Sequence, residues 1–243
     1  MRWALAGLAL LASPCIAETI TGAEFTEPTS RYQHGILGDA IEWGELQITT
    51  NGLTPGLLKA DTVARESTFV FRLPLDSVFE DVAPRLWDVD GDGSPEVVVV
   101  ESSVTLGAQL AVYDDQGKRA ATPYIGQRNR WLAPIGAADL DGDGTIEIAY
   151  IDRPHLAKTL RVVSIDGDLL AEEVAGAGFT NHRIGERDIA GGVRDCGDGP
   201  EMIVASANWS QLVAVTYDGA ALTARQIGTD TSRPAFAKAL ACQ

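Results

Sequence analysis

Two stretches of the chain share one order of polar and apolar positions. PRLWDVDGDGSPEVVVV at 84–100 and IGAADLDGDGTIEIAYI at 135–151 each run from an acidic, glycine-bearing loop into an unbroken apolar segment. These segments are short and rich in β-branched residues, which predicts strands. A second apolar run follows each, LAVY at 110–113 and LRVVSI at 160–165, and then a turn at Gly117 and at Gly167. RDCGDGPEMIVAS at 194–206 is a degraded third copy, continued by LVAVTY at 212–217 and Gly219. The same interval in the other direction reaches GDAIEWGELQI at 38–48, the weakest copy. An acidic marker thus recurs at Glu42, Glu96, Glu147 and Glu201.

Short strands separated by Asp-Gly turns, about four to a period near 50 residues, predict β-propeller blades. The fold class expected is therefore all-β: a small propeller with four blades at 24–80, 81–128, 129–184 and 185–231. A five-bladed ring or an open stack of blades is the alternative. The tail RPAFAKALACQ predicts a short C-terminal helix.

Composition narrows the function. A chain of 243 residues that is 45% hydrophobic can build a core, which a wholly disordered chain cannot. Lys and Arg number 19 against 34 Asp and Glu, for a formal charge of −15. That excess argues against nucleic acid as a partner, since such binding depends on basic residues neutralising phosphates, and against a polybasic membrane anchor. It suits divalent cations.

Met1 and Arg2 precede WALAGLALLA and then Ser13, Pro14, Cys15, Ile16 and Ala17. This reads as a signal peptide over residues 1–17, cleaved after Ala17, leaving 18–243 as a single domain in the periplasm or outside the cell. The apolar run is too short for a transmembrane segment, and no later one is longer. Cys15 offers a lipid-anchored alternative, to which Pro14 is a poor fit. The remaining pair, Cys196 and Cys242, is most simply a disulfide in an oxidising compartment, with two unrelated thiols as the alternative. Near the C-terminus it would help to close a ring of blades.

In DVDGDGSPE, carboxylates stand at positions 1, 3, 5 and 9 with glycines at 4 and 6. Alternating acids in a tight turn converge several oxygens on one point, and six to eight oxygens describe a Ca2+ site rather than zinc or copper. The expected ligands of one ion are Asp88, Asp90, Asp92 and Glu96 with the Ser94 carbonyl. Those of the second are Asp139, Asp141, Asp143 and Glu147 with the Thr145 carbonyl. The final acid at position 9 and the strand-like flanks exclude an EF-hand. The third loop has Cys196 in place of an Asp, and the first has only Asp39 and Glu42, so neither is expected to bind an ion.

The pattern D-x-D-G-D-G-x-x-E followed by a hydrophobic strand resembles the FG-GAP or VCBS repeat of integrin-type β-propellers, here of a secreted bacterial type. Residues 135–151 carry it best, and it covers roughly 80–217. The resemblance implies a calcium-stabilised propeller working outside the cytoplasm. The GAP tripeptide is missing and family propellers often have seven blades, so the blade count rests on this chain's own period. Members serve in adhesion, carbohydrate binding and as accessory domains of enzymes, so the family does not fix a function.

Polar clusters precede the inner strands: Tyr32 and His34; Glu80, Asp81 and Arg85; Arg128, Asn129, Arg130 and Trp131; and Asn181, His182, Arg183, Glu186, Arg187 and Asp188. In a propeller these would meet at one mouth of the channel. His34, Arg85, Arg130, Trp131, His182 and Arg187 are the candidate ligand-binding residues, for an anionic group or a sugar stacked on the indole. Inter-blade salt bridges are the alternative role. His155, in RPHL at 153–156, reads as a surface residue, and no nucleophile or metalloprotease motif accompanies the histidines. The expected function is a binding or interaction module with structural calcium, its partner a carbohydrate or an envelope or extracellular protein. A hydrolase or lyase acting on an extracellular carbohydrate at the mouth is the alternative.

Overall fold

A strand that is apolar at every position sends successive side chains to opposite faces, so it has to be covered twice. That requirement organises the molecule. The computed structural model describes residues 18–55 and 62–243; the expected signal peptide lies outside them.

The first unit is three antiparallel strands, β1 (Thr19–Thr29), β2 (Glu42–Pro55) and β3 (Thr62–Arg72). A short β4 (Ser77–Phe79) pairs with β2 and with the next unit. The second unit is an antiparallel meander of β5 (Arg85–Trp87), β6 (Glu96–Ser103), β7 (Gly107–Asp114) and β8 (Gly117–Ala121). The third repeats it with β9 (Leu132–Ala138), β10 (Glu147–Asp152), β11 (Thr159–Asp166) and β12 (Leu169–Ala177). The fourth has β13 (Phe179–Thr180), β14 (Gly192–Asp195), β15 (Pro200–Ser206), β16 (Leu212–Tyr217) and β17 (Leu222–Gly228), followed by α1 (Arg233–Leu240). The protein is thus all-β with one short C-terminal helix.

The inner strands of the second to fourth units bury both faces by strict alternation. Val97 and Val99 of β6 pack on Leu46, Ile48 and Phe79 of the preceding segment. Val98 and Val100 face Leu132, Ile148 and Tyr150 of the third unit. Ala149 and Ile151 of β10 meet Met202 and Val204 of β15. Ile203 and Ala205 turn the other way, onto Phe236 and Ala239 of α1.

Three expectations need correction. The first unit begins at residue 19 rather than 24 and has three long strands instead of four. The units are not all separate sheets: β1 to β12 form one 12-stranded sheet, bridged by β4 and by the single parallel pair Leu169 and Ala121. Nor does the disulfide draw the ends together. It joins Cys242 to Cys196 in the β14–β15 turn, within the last unit. Among the described residues the strands of the first and fourth units share no apolar cluster; only the loop residues Ile36 and Leu37 of the first and Ile189 of the fourth do. The reason is chemical: alternate positions of β2 carry half-buried Glu45, Gln47 and Thr49, while α1 already covers the outer face of unit four. The loops of the two units also meet in a hydrogen bond, the Gly185 N–H donating to the Ile36 carbonyl at 3.0 Å, and in the ion pair of Arg187 with Asp39 at 3.8 Å.

The innermost strand is interrupted in two units. β4 and β5 both pair with β6, and β13 and β14 both pair with β15. The chain leaves the sheet between them, at 80–84 and 181–191, and these excursions carry polar residues inward.

Candidate metal centres and a histidine cluster

The two acidic loops fold alike because the same groups satisfy the same backbone donors. Asp88 accepts N–H bonds from Gly91 and Gly93 at 2.7 and 3.0 Å. Asp139 accepts them from Gly142 and Gly144 at 2.7 and 3.1 Å. Glu96 accepts from the Val89 N–H, and Glu147 from the Leu140 N–H, pinning the last acid under the turn. Gly91 and Gly93 have φ of 75° and 87°, Gly142 and Gly144 81° and 92°, a region glycine enters without strain.

One oxygen each of Asp88, Asp90 and Glu96 lies within 4.8 Å of the others, and Asp139, Asp141 and Glu147 form an equivalent trio. A hard cation bound by several oxygens fits such a group. Asp92 and Asp143 stand outside the trios, each accepting an N–H at 2.7 Å, from Ser94 and from Thr145. Ser94 and Thr145 occupy matching seventh positions in the two loops.

The surroundings differ. Arg119 of β8 reaches loop 88–96, its Nη1 2.7 Å from Asp90 Oδ2 and 3.5 Å from Glu96 Oε1. No basic side chain pairs with the trio of loop 139–147 among the described residues. Burial, abetted by Asp141, Asp143 and Asp139, pushes the Glu147 carboxyl up to about 7 against the opposing Leu140 N–H. Glu96 is raised by burial too, with Arg119 working against the rise.

The third loop is settled differently. Asp195 accepts from the Gly197 and Gly199 N–H groups at 2.7 and 3.2 Å, as the loop's first acid should. Glu201, however, is held by Arg194 and Arg225, both at 2.6 Å. Burial works to raise its carboxyl, but these two arginines prevail and keep it below the usual carboxylate range. In the first unit Glu42 is buried, and burial followed by Glu80, Asp39 and Asp81 pushes it up to about 9.

The polar excursions meet around Trp131. His34 Nδ1 lies 2.5 Å from Glu80 Oε1, and the fully buried Glu80 also accepts from the Ser102 hydroxyl. Trp131 Nε1–H donates to the Glu80 carbonyl at 2.8 Å. The His155 ring lies parallel to the indole at 6.3 Å, and His182 meets it edge-on at 4.9 Å. A cavity of about 290 Å³ opens here, lined by His34, Asn129, Arg130, Trp131, Arg153 and His155 and by the apolar Ile36, Leu156 and Ile184.

Of the six expected ligand residues, His34, Arg130 and Trp131 line this cavity and His182 stands behind it. Arg85 and Arg187 do not. Arg85 is forked onto Asp81 at 2.6 and 2.8 Å, and Arg187 is 77% exposed, 3.8 Å from Asp39. Trp131 is only 2% exposed with its N–H engaged, so it offers no open face for a stacked sugar. His155, expected at the surface, is half-buried instead. Burial and then His182 push it down to about 4, and His182 is lowered by burial as well. Its signal in the sequence was position, since RPHL follows the β10 strand directly onto the inner rim.

The FG-GAP-like repeat family matches residues 88–150, which span both acidic loops. No curated protein and no solved structure matches the chain. Among the described residues no helix is long and apolar enough to cross a membrane.

Proposed function

With residues 88–150 as FG-GAP-like repeats, we propose that this is a calcium-binding β-propeller-type module of the periplasm or the extracellular space, its four units acting as blades and its ions structural. The carrying observation is the pair of acid trios, each with a buried glutamate under a turn whose donors the first aspartate has already satisfied. Asp88, Asp90 and Glu96 would hold one ion and Asp139, Asp141 and Glu147 the other. Asp92, Asp143 and the carbonyls of Ser94 and Thr145 would complete the shells. A bound ion stabilises carboxylates that otherwise repel one another at the rim of two adjoining units. The Cys196–Cys242 disulfide supports an oxidising compartment.

The binding face is the cavity beside Trp131. It holds no carboxylate among its lining residues and combines Arg130 with an apolar rim, where Leu156 and Ile184 are 62% and 70% exposed. That favours an anionic ligand with an apolar portion, carbohydrate-derived or a protein segment, over hydrolysis at this place. One feature supports the runner-up, a carbohydrate hydrolase or lyase. Glu42 and Asp39 line a separate cavity of about 230 Å³, and the raised Glu42 is a proton donor at neutral pH.

Thermal melting of the mature, oxidised protein tests the calcium reading. Saturating Ca2+ at about 100 times its dissociation constant adds roughly 2.7 kcal/mol per independent site. Two sites would therefore raise Tm by on the order of 10 °C over the EGTA-treated protein. An unchanged Tm at millimolar calcium rejects structural ions.

A further inference from the structure

The chain has three histidines, and all three gather around Trp131. Hydrogen bonding decides what they present to the cavity. His182 Nε2 lies 2.8 Å from the Glu186 carbonyl, which can only accept, so that nitrogen carries the proton. In the neutral ring, His182 Nδ1 is then bare and accepts. His155 Nε2, 3.1 Å away, must be the donor to it. His155 therefore turns an unprotonated Nδ1 away from His182, and no described group takes it. His34 has its Nδ1 engaged by buried Glu80, which leaves Nε2 as its free nitrogen.

His34, its second nitrogen tied to a carboxylate, has the arrangement metal-ligating histidines adopt, and the second nitrogen of His155 is fixed by the His182 ring. A further donor points the same way. Asn129 Oδ1 is buried without a hydrogen-bond partner, although the residue lines the same cavity. It is kept there in the left-handed region, φ 54°, by its N–H bond to the Tyr32 hydroxyl at 3.0 Å. A buried unpaired carbonyl oxygen is costly unless something meets it.

We propose that His34, His155 and Asn129 form a site for a divalent transition-metal ion, of the zinc, copper or nickel class, separate from the acidic loops. Imidazole donors select these ions and the all-oxygen loops select calcium, so the two kinds of site are chemically orthogonal. Glu80 and His182 are positioning residues, holding the ligand rings by their second nitrogens. Arg153 does not oppose the ion, because Asp152 engages its guanidinium at 2.8 Å through two bonds. Arg130 directs one guanidinium nitrogen to the Asn129 carbonyl at 3.0 Å. It stands ready for an anionic group completing the coordination shell. The site stands whether or not the acidic loops bind calcium.

The test uses untagged mature protein in millimolar calcium, so that the acidic loops are already occupied. Calorimetric titration with Zn2+ alone should show one equivalent bound. His34→Ala and His155→Ala should each weaken binding at least tenfold, and Glu80→Gln roughly tenfold, with the calcium-dependent Tm unchanged. Imidazole 15N shifts of the wild-type protein answer the same question without relying on variants that fold. Zinc should move His34 Nε2 and His155 Nδ1 and leave the His182 proton on Nε2. Absence of zinc binding, equal binding by His155→Ala, or unmoved imidazole nitrogens in the wild type would each overturn the site.

Discussion

Loops 88–96 and 139–147 share their hydrogen bonds one for one and differ in their basic neighbours. Arg119 reaches into the first, and among the described residues nothing basic pairs with the second. The third copy goes further, with two arginines on Glu201 and a disulfide across the turn. Three successive units thus meet one problem, crowded carboxylates at a turn, in three ways. One is partly neutralised, one has no basic partner among the described residues, and one is neutralised and stapled. The repeat encodes the turn, while residues outside the motif set its charge state.

The largest effect expected separates the stapled loop from the two acidic ones. Closing a loop across a sequence separation of 46 is worth about 4 kcal/mol in the chain-entropy model. Cys196→Ser with Cys242→Ser should therefore lower urea-unfolding stability by roughly that amount. Calcium affinity should stay unchanged, because the bridge lies within the fourth unit; a lost calcium response would show the loops to be coupled.

Next in size is the loss of one ion. Asp139→Ala should remove roughly 2.7 kcal/mol of calcium-dependent stability at 100 times the dissociation constant. Asp88→Ala should remove less at the same calcium concentration, since its loop binds more weakly against Arg119. Paired melts in calcium and EGTA read the difference.

A smaller effect lies in the pH dependence of the calcium-free protein. Glu147 is raised to about 7 in the fold, so the native state holds a proton that the unfolded chain releases near its ordinary 4.5. Stability then falls as pH rises from about 4.5 to 7. Calcium and Glu147→Gln should each abolish that part of the fall. Glu42, raised to about 9, should continue it to higher pH whether or not calcium is present. Melts between pH 5 and 9 distinguish the two carboxyls.

The smallest effect is the sharpest for the pair. Arg119→Gln removes a cation that an ion has to displace, and should tighten calcium binding at loop 88–96 several-fold while leaving loop 139–147 alone. Equal affinities before and after would mean that Arg119 swings clear at no cost.

Local features were legible in the sequence because they are written locally. The strands after Glu96, Glu147 and Glu201, the helix at 233–240 and the Cys196–Cys242 pairing all follow from alternation, turn residues and cysteine number. What the period could not convey is which faces meet. The polar alternate positions of β2 and the apolar Phe236 and Ala239 of α1 decide that the last unit packs on the helix and not on the first. His155 was misplaced for the same reason. Its environment is made by Trp131 and His182, 24 and 27 residues away, and no local pattern names either. Arg119 likewise sits in a strand without any motif, and only the return of β8 beside the loop brings it onto Asp90 and Glu96.

The most direct measurement is a calorimetric titration of EGTA-stripped protein with Ca2+, repeated on Asp88→Ala and Asp139→Ala. Two equivalents are predicted, the tighter assigned to loop 139–147 by its loss in Asp139→Ala, and one equivalent in each variant. An absence of binding at millimolar calcium, or a stoichiometry untouched by both substitutions, would contradict it.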